Sequence, residues 1–240
     1  MDPKLQPVYT NEQPSLRRTG DAIVVPDQNR VLRNTYWLLA LSMLPTIAGA
    51  FAGMQLNFVS LFVAAPIMTP LLMFGLMIGS LFVVTRLRNS VWGVPALLGF
   101  TFIAGLMLTP ILTVAGQFRN GGQLVALAGG MTAAIFFAMA TIATVTKRDF
   151  SFLGKFLFVG LILLIVASLA NIFFQVPAVS LAISAIAVFI FSLYTLYDIS
   201  NIVRGGETNY ITATLGLFLN VYNIFISLLN LLLAFTGQRD

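Results

Sequence analysis

The chain has 240 residues, of which 58% are hydrophobic and only 9% charged, with a formal net charge of +5 and neither histidine nor cysteine. A soluble domain devotes about a quarter of its residues to charge in order to stay hydrated, so water is not the main solvent of this one. Without histidine or cysteine there is no HExxH zinc protease, no serine–histidine hydrolase and no thiol nucleophile, and an enzymatic function is not expected.

The segment 1–33 is polar, carries Pro3, Pro7, Pro14 and Pro26, and lacks an apolar stretch ahead of a small-residue cleavage site. It predicts a disordered cytoplasmic tail rather than a cleavable signal. Beyond it, long neutral runs separate the charged residues, and one membrane span needs about 20 apolar residues. The run from Arg33 to Arg86 accommodates two helices, predicted over 35–52 and 59–84, with a turn at Gly53, Gln55 and Asn57. The runs from Arg88 to Arg119 and from Arg119 to Lys147 hold one helix each, over 91–115 and 123–146. Two more, over 154–174 and 178–199, fill the run from Lys155 to Asp198, divided at Gln175 and Pro177. The run from Glu207 to Arg239 gives the last, over 209–236. The predicted fold is an all-α membrane protein, a bundle of seven transmembrane helices in one domain covering 34–240.

Basic residues in short loops set orientation. With the N-terminus in the cytoplasm, that side holds eleven of the thirteen: Lys4, Arg17, Arg18, Arg30, Arg33, Arg86, Arg88, Lys147, Arg148, Lys155 and Arg204. Arg119 and Arg239 fall on the other side, where the C-terminus lies, external or periplasmic. A miscounted helix would invert every later loop and spoil this division. Dispersed in this way, the basic residues do not form a nucleic-acid surface. Gly205-Gly206 lacks the strand and spacing of a phosphate loop, so no cofactor is expected.

Two helices carry further patterns. On the fourth, Ala126, Gly130, Ala134 and Ala138 recur every four residues, a small-residue stripe that predicts close packing inside the bundle, with a dimer face as the alternative. On the seventh, Thr212, Gly216, Asn220, Asn223, Ser227 and Asn230 fall along one face. Amides avoid lipid, so this stripe is expected to point inward, either as interhelical hydrogen bonding or as a polar pathway or sensor site. Asp198 is the one carboxylate at the end of an apolar run, near Tyr194, Tyr197 and Asn201, and its expected cationic partner is Arg86 or Arg88. No metal site is assigned.

The segments Ser192 to Ile202 (SLYTLYDISNI), Leu217 to Leu229 (LFLNVYNIFISLL) and Gly99 to Leu112 (GFTFIAGLMLTPIL) resemble the sixth, seventh and third helices of the Bax inhibitor-1 family. Val31 to Leu39 (VLRNTYWLL), Lys147 to Gly154 (KRDFSFLG), Ala170 to Ala178 (ANIFFQVPA) and Gly205 to Ala213 (GGETNYITA) are similar to its bacterial YccA-like branch. The resemblance runs from roughly position 30 to position 236. It implies a multi-pass protein of the bacterial inner membrane that associates with the ATP-dependent protease FtsH, modulates it and is also its substrate. It also implies an alternative, a pH-sensitive leak for Ca2+ or H+, in which two aspartates on helices six and seven share a proton and an arginine of helix two pairs with them. Asp198 matches the first aspartate, but Asn220 stands at the second, which leaves one titrating group where a proton switch uses two.

Overall fold

Inside a bilayer every backbone N–H and C=O has to be bonded within the chain, and a helix does this locally. The computed structural model describes residues 28–146 and 148–237, and all regular structure among them is helical. Residues 1–27 of the predicted tail, Lys147 and Arg239 lie outside the described residues. The helices are α1 (Gln28–Gln55), α2 (Val59–Ala64), α3 (Met68–Leu87), α4 (Gly93–Met107), α5 (Thr109–Gly116), α6 (Gly121–Thr146), α7 (Leu153–Phe174), α8 (Pro177–Val203) and α9 (Tyr210–Gly237). Among the described residues seven segments are long and apolar enough to cross a membrane, with α4 and α5 forming a single span of 24 residues.

The helix ends have identifiable causes. Asn57 (φ 49°) and Gln175 (φ 51°) adopt left-handed backbone at the two predicted turns. The Gln175 N–H donates to the Asn171 carbonyl at 2.8 Å, the Asn171 side chain accepts from Val176 at 3.0 Å, and Pro177 opens α8, where its missing N–H costs nothing. Three departures from the sequence reading stand out, besides the extension of α8 from 199 to Val203. α1 starts at Gln28 instead of 35, so Arg30 and Arg33 lie within its first turns. The second predicted span is broken at Ala65–Ile67, around Pro66, into the short α2 and a 20-residue α3. The third breaks at Leu108, just ahead of Pro110. A proline disfavours α backbone at the residue before it, as at Ala65 (φ −142°, ψ 76°), and Pro110 has no N–H to donate to the turn ahead of it.

α9 is the central helix, packed against α8, α6, α1, α4 and α5. It contributes to both hydrophobic clusters: Ile211, Leu217 and Phe218 join Val84, Leu97, Phe100 and Ile199 in one, and Ile224 and Leu229 join Leu157, Leu164 and Ile190 in the other. The small-residue stripe of α6 does not pack inside the bundle: Ala126, Gly130, Ala134 and Ala138 are all exposed. The buried face of α6 runs through Leu124, Ala128 and Thr132 instead. A two-residue offset is about 200° around a helix, so the stripe is turned away from the core.

A close backbone approach joins α1 and α4, which run side by side in the same direction. A methyl group at Gly49 would collide with the Phe102 carbonyl oxygen, and one at Gly105 with the carbonyl oxygen of Thr46. Glycine at both places is what allows the two backbones to touch. Gly49→Ala or Gly105→Ala should therefore force the helices apart and destabilise the fold by about 1–3 kcal/mol. Gly99→Ala, where a methyl would meet no atom within 4 Å, should leave thermal unfolding in detergent nearly unchanged.

Candidate functional site

Asp198 lies in the last turns of α8, half-buried on the seam where α9 runs antiparallel beside it. α9 accommodates the carboxylate with two residues one turn apart. Gly216 leaves room, since a Cβ there would come within 3.3 Å of Asp198 Oδ2, and Asn220 supplies a donor. The Asn220 side-chain amide donates to Asp198 Oδ2 at 2.7 Å, and Asn220 itself is only 4% exposed. The seam thus brings together Asp198 and the residue that the sequence placed opposite it.

Arg86 and Arg88 are elsewhere. Both are exposed, neither lies within ion-pair distance of Asp198, and the one ion pair among the described residues joins Arg204 to Asp149. The cause is topological: α3, which they terminate, packs on α4 and α2, whereas Asp198 sits between α8 and α9. Glu207, in the α8–α9 connection, accepts a hydrogen bond from the Asn209 N–H at 2.7 Å.

Along the polar stripe of α9, Asn220 and Ser227 are buried and Thr212, Gly216, Asn223 and Asn230 half-buried, and its members have different partners. Asn230 donates to Ser184 Oγ at 2.8 Å and Ser180 Oγ at 3.3 Å, a second link to α8 well removed from Asp198. Asn223 turns back onto the Leu219 carbonyl at 2.8 Å, and Ser227 is buried. The Thr212 N–H, with that of Ile211, is taken up by the Asn209 side chain, which caps α9 and also donates to Asn89 at 2.8 Å and the Arg88 carbonyl at 3.2 Å. Asn209 therefore ties the start of α9 to the α3–α4 loop.

At the C-terminal end of α8 the α6–α7 loop is fastened by Arg204, whose guanidinium pairs with Asp149, and by Ser200, whose hydroxyl donates to the Arg148 carbonyl at 3.1 Å. The hydrogen bond from Arg204, together with those from Ser151, holds the Asp149 carboxyl well below the usual carboxylate range. Its contribution is in place above the ordinary carboxyl pKa and is lost only as pH falls through the lowered one; because the pair is exposed, it is weak. A polar cavity of about 110 Å³ opens here, lined by Ser151, Tyr197, Ser200, Asn201, Arg204 and Gly206. The Tyr197 ring covers Gly154. Among the described residues no three carboxylates gather into a metal site, whereas Ca2+ takes six to eight oxygens.

The sequence reading missed Ser180 and Ser184, Arg204 with Asp149, and Asn209. Ser180 and Ser184 were detectable, because their four-residue spacing puts two hydroxyls on one face of α8. So was Asn209, three residues ahead of Thr212 at a helix start. Nothing local in the sequence pairs residue 149 with residue 204.

The family model described as "Inhibitor of apoptosis-promoting Bax1" matches residues 28–237. A protein of Escherichia coli (strain K12) named "Modulator of FtsH protease YccA" is 40% identical over 207 residues, 85% of this chain and 90% of that one. A protein of Vibrio cholerae named "Uncharacterized membrane protein" is 38% identical over 219 residues, 91% of this chain and 96% of its own. A Neisseria meningitidis serogroup B protein is 38% identical over 213 residues, 88% of this chain and 93% of its own.

Replacing Asn220 tests the site's energetics. Asn220→Leu leaves the Asp198 carboxylate facing α9 without its donor and should destabilise the fold by about 1–3 kcal/mol. In the double variant Asp198→Leu/Asn220→Leu the loss should be smaller than the sum of the two single losses, because the polar group left unbonded is gone. Thermal unfolding of all four proteins in one detergent checks this; strictly additive losses would show that the two side chains do not interact.

Proposed function

The chain belongs to the Bax inhibitor-1 family, and on that basis we propose that it binds an FtsH-type ATP-dependent membrane protease through its transmembrane body, modulates it and is slowly degraded by it. It is a multi-pass protein of the bacterial inner membrane, in keeping with its seven apolar spans and with relatives such as one named "Inner membrane protein YccA". The names of the family and the relative, inhibitor and modulator, fit a non-catalytic role. The observation that carries the proposal is the extent of the similarity: 40% identity to the protein named a modulator of FtsH, over 90% of that protein's length. The eleven-to-two division of basic residues supports a cytoplasmic N-terminus, which puts the polar segment ahead of α1 on the side where an ATP-driven protease works.

A second reading, a proton-linked leak for Ca2+ or H+, is favoured by the half-buried carboxylate of Asp198 facing α9. Against it stands the neutral amide of Asn220, which fills the place of a second carboxylate. Detergent extraction of native membranes should co-purify the chain with the protease, and the chain's half-life after synthesis is stopped should lengthen several-fold when the protease is depleted. Absence of association and an unchanged half-life would contradict the modulator reading. A strong pH-dependent Ca2+ flux in proteoliposomes of the natural protein, present without Asn220→Asp, would favour the leak.

A further inference from the structure

The end of the bundle at which α1 begins carries exposed arginine on α1 and at the end of α3, and exposed tryptophan on α1 and just ahead of α4. Arg33 and Trp37 are one turn apart on α1, and Trp37 is 74% exposed. Arg86 and Arg88 close α3, and Trp92, 66% exposed, precedes α4. Because α1 and α4 run parallel, with Gly49 against Phe102 and Gly53 against Thr109, Trp37 and Trp92 stand at similar depth. Val31, Val84 and Leu97 belong to one hydrophobic cluster, and α1 and α3 each pack on α4. No carboxylate among the described residues lies within ion-pair distance of Arg33, Arg86 or Arg88. Below the arginines, α1 and α3 both pack on α4, yet Pro95 and Gly99 of α4 stay exposed, and space is open around Gly99.

We infer that this end of α1, α3 and α4 binds the headgroup of an anionic phospholipid. Arg33 stands in the first turns of one apolar span and Arg86 and Arg88 close another, and a guanidinium presents a donor fork matched to phosphate oxygens. Tryptophan is the side chain that settles at the headgroup boundary. Pro95 and Gly99, with no long side chain over them, leave a path for an acyl chain down α4. Simple anchoring of the spans would be satisfied by water and by any phospholipid. Three arginines without a carboxylate partner among the described residues select for negative charge.

The two tryptophans of the chain, Trp37 and Trp92, both stand at this site, so intrinsic fluorescence reads the lipid beside it. The full chain is reconstituted into equimolar phosphatidylglycerol and phosphatidylcholine vesicles in which one lipid or the other carries brominated acyl chains. Brominated phosphatidylglycerol should quench at least about twofold more than brominated phosphatidylcholine. In Arg33→Gln/Arg86→Gln/Arg88→Gln, with helicity checked by circular dichroism, the ratio should fall to about one. In Arg119→Gln/Lys155→Gln, which removes exposed charge elsewhere, it should stay at the natural value. A ratio near one in the natural protein, no change in the triple variant, or an equal loss in the control variant would overturn the inference. So would loss of the ratio on adding inorganic phosphate, which would assign the site to free phosphate.

Discussion

Polar side chains within hydrocarbon have to find their partners inside the protein, and in this chain α9 carries a full face of them. That face is turned against α8, where Asn220 meets Asp198 and Asn230 meets Ser184 and Ser180. Between these two links the buried Ile224 and Leu229 pack with Leu157, Leu164 and Ile190, so the polar and apolar requirements of α9 are met on one helix. The rest of the bundle is arranged around it. α4 receives the Tyr222 hydroxyl on the Ala104 carbonyl at 2.9 Å, and α1 receives the Thr214 hydroxyl on the Thr35 carbonyl at 3.3 Å.

Seven spans were legible in the sequence because the signal is thermodynamic and long: a neutral run of about 20 residues has few other places to go. The turns at Asn57 and Gln175 were legible because polar and proline residues interrupt those runs. What the sequence could not supply was rotation and lateral placement. The stripe from Ala126 to Ala138 has the composition of a packing face yet stands outside, since small residues in a helix mark a possible close approach without naming the partner. Likewise, Arg86 shares an end of the bundle with Asp198, but α3 is held on α4. The amides of α9 were a better guide, because lipid penalises an amide on its surface and tolerates an alanine.

The amide at residue 220 decides how the site is read. An amide can donate to the neighbouring carboxylate, whereas a second carboxylate would have to share a proton with it. The seam therefore works as a hydrogen-bonded contact between α8 and α9. Its outer end is fastened separately by Arg204 and Ser200 to the α6–α7 loop, and Asn209 ties the following turn to the α3–α4 loop. Three connections are thereby gathered near Asp198.

The inward orientation of α9 against α8 is tested most directly by cross-linking in native membranes, for which the cysteine-free natural sequence provides a clean background. Ser184→Cys/Asn230→Cys should form an intramolecular disulfide under mild oxidation, detected by mass spectrometry of the digested protein. Phe189→Cys/Asn230→Cys, with Phe189 61% exposed on the outer face of α8, should not. Failure of the first pair to cross-link while the second does so would contradict the account.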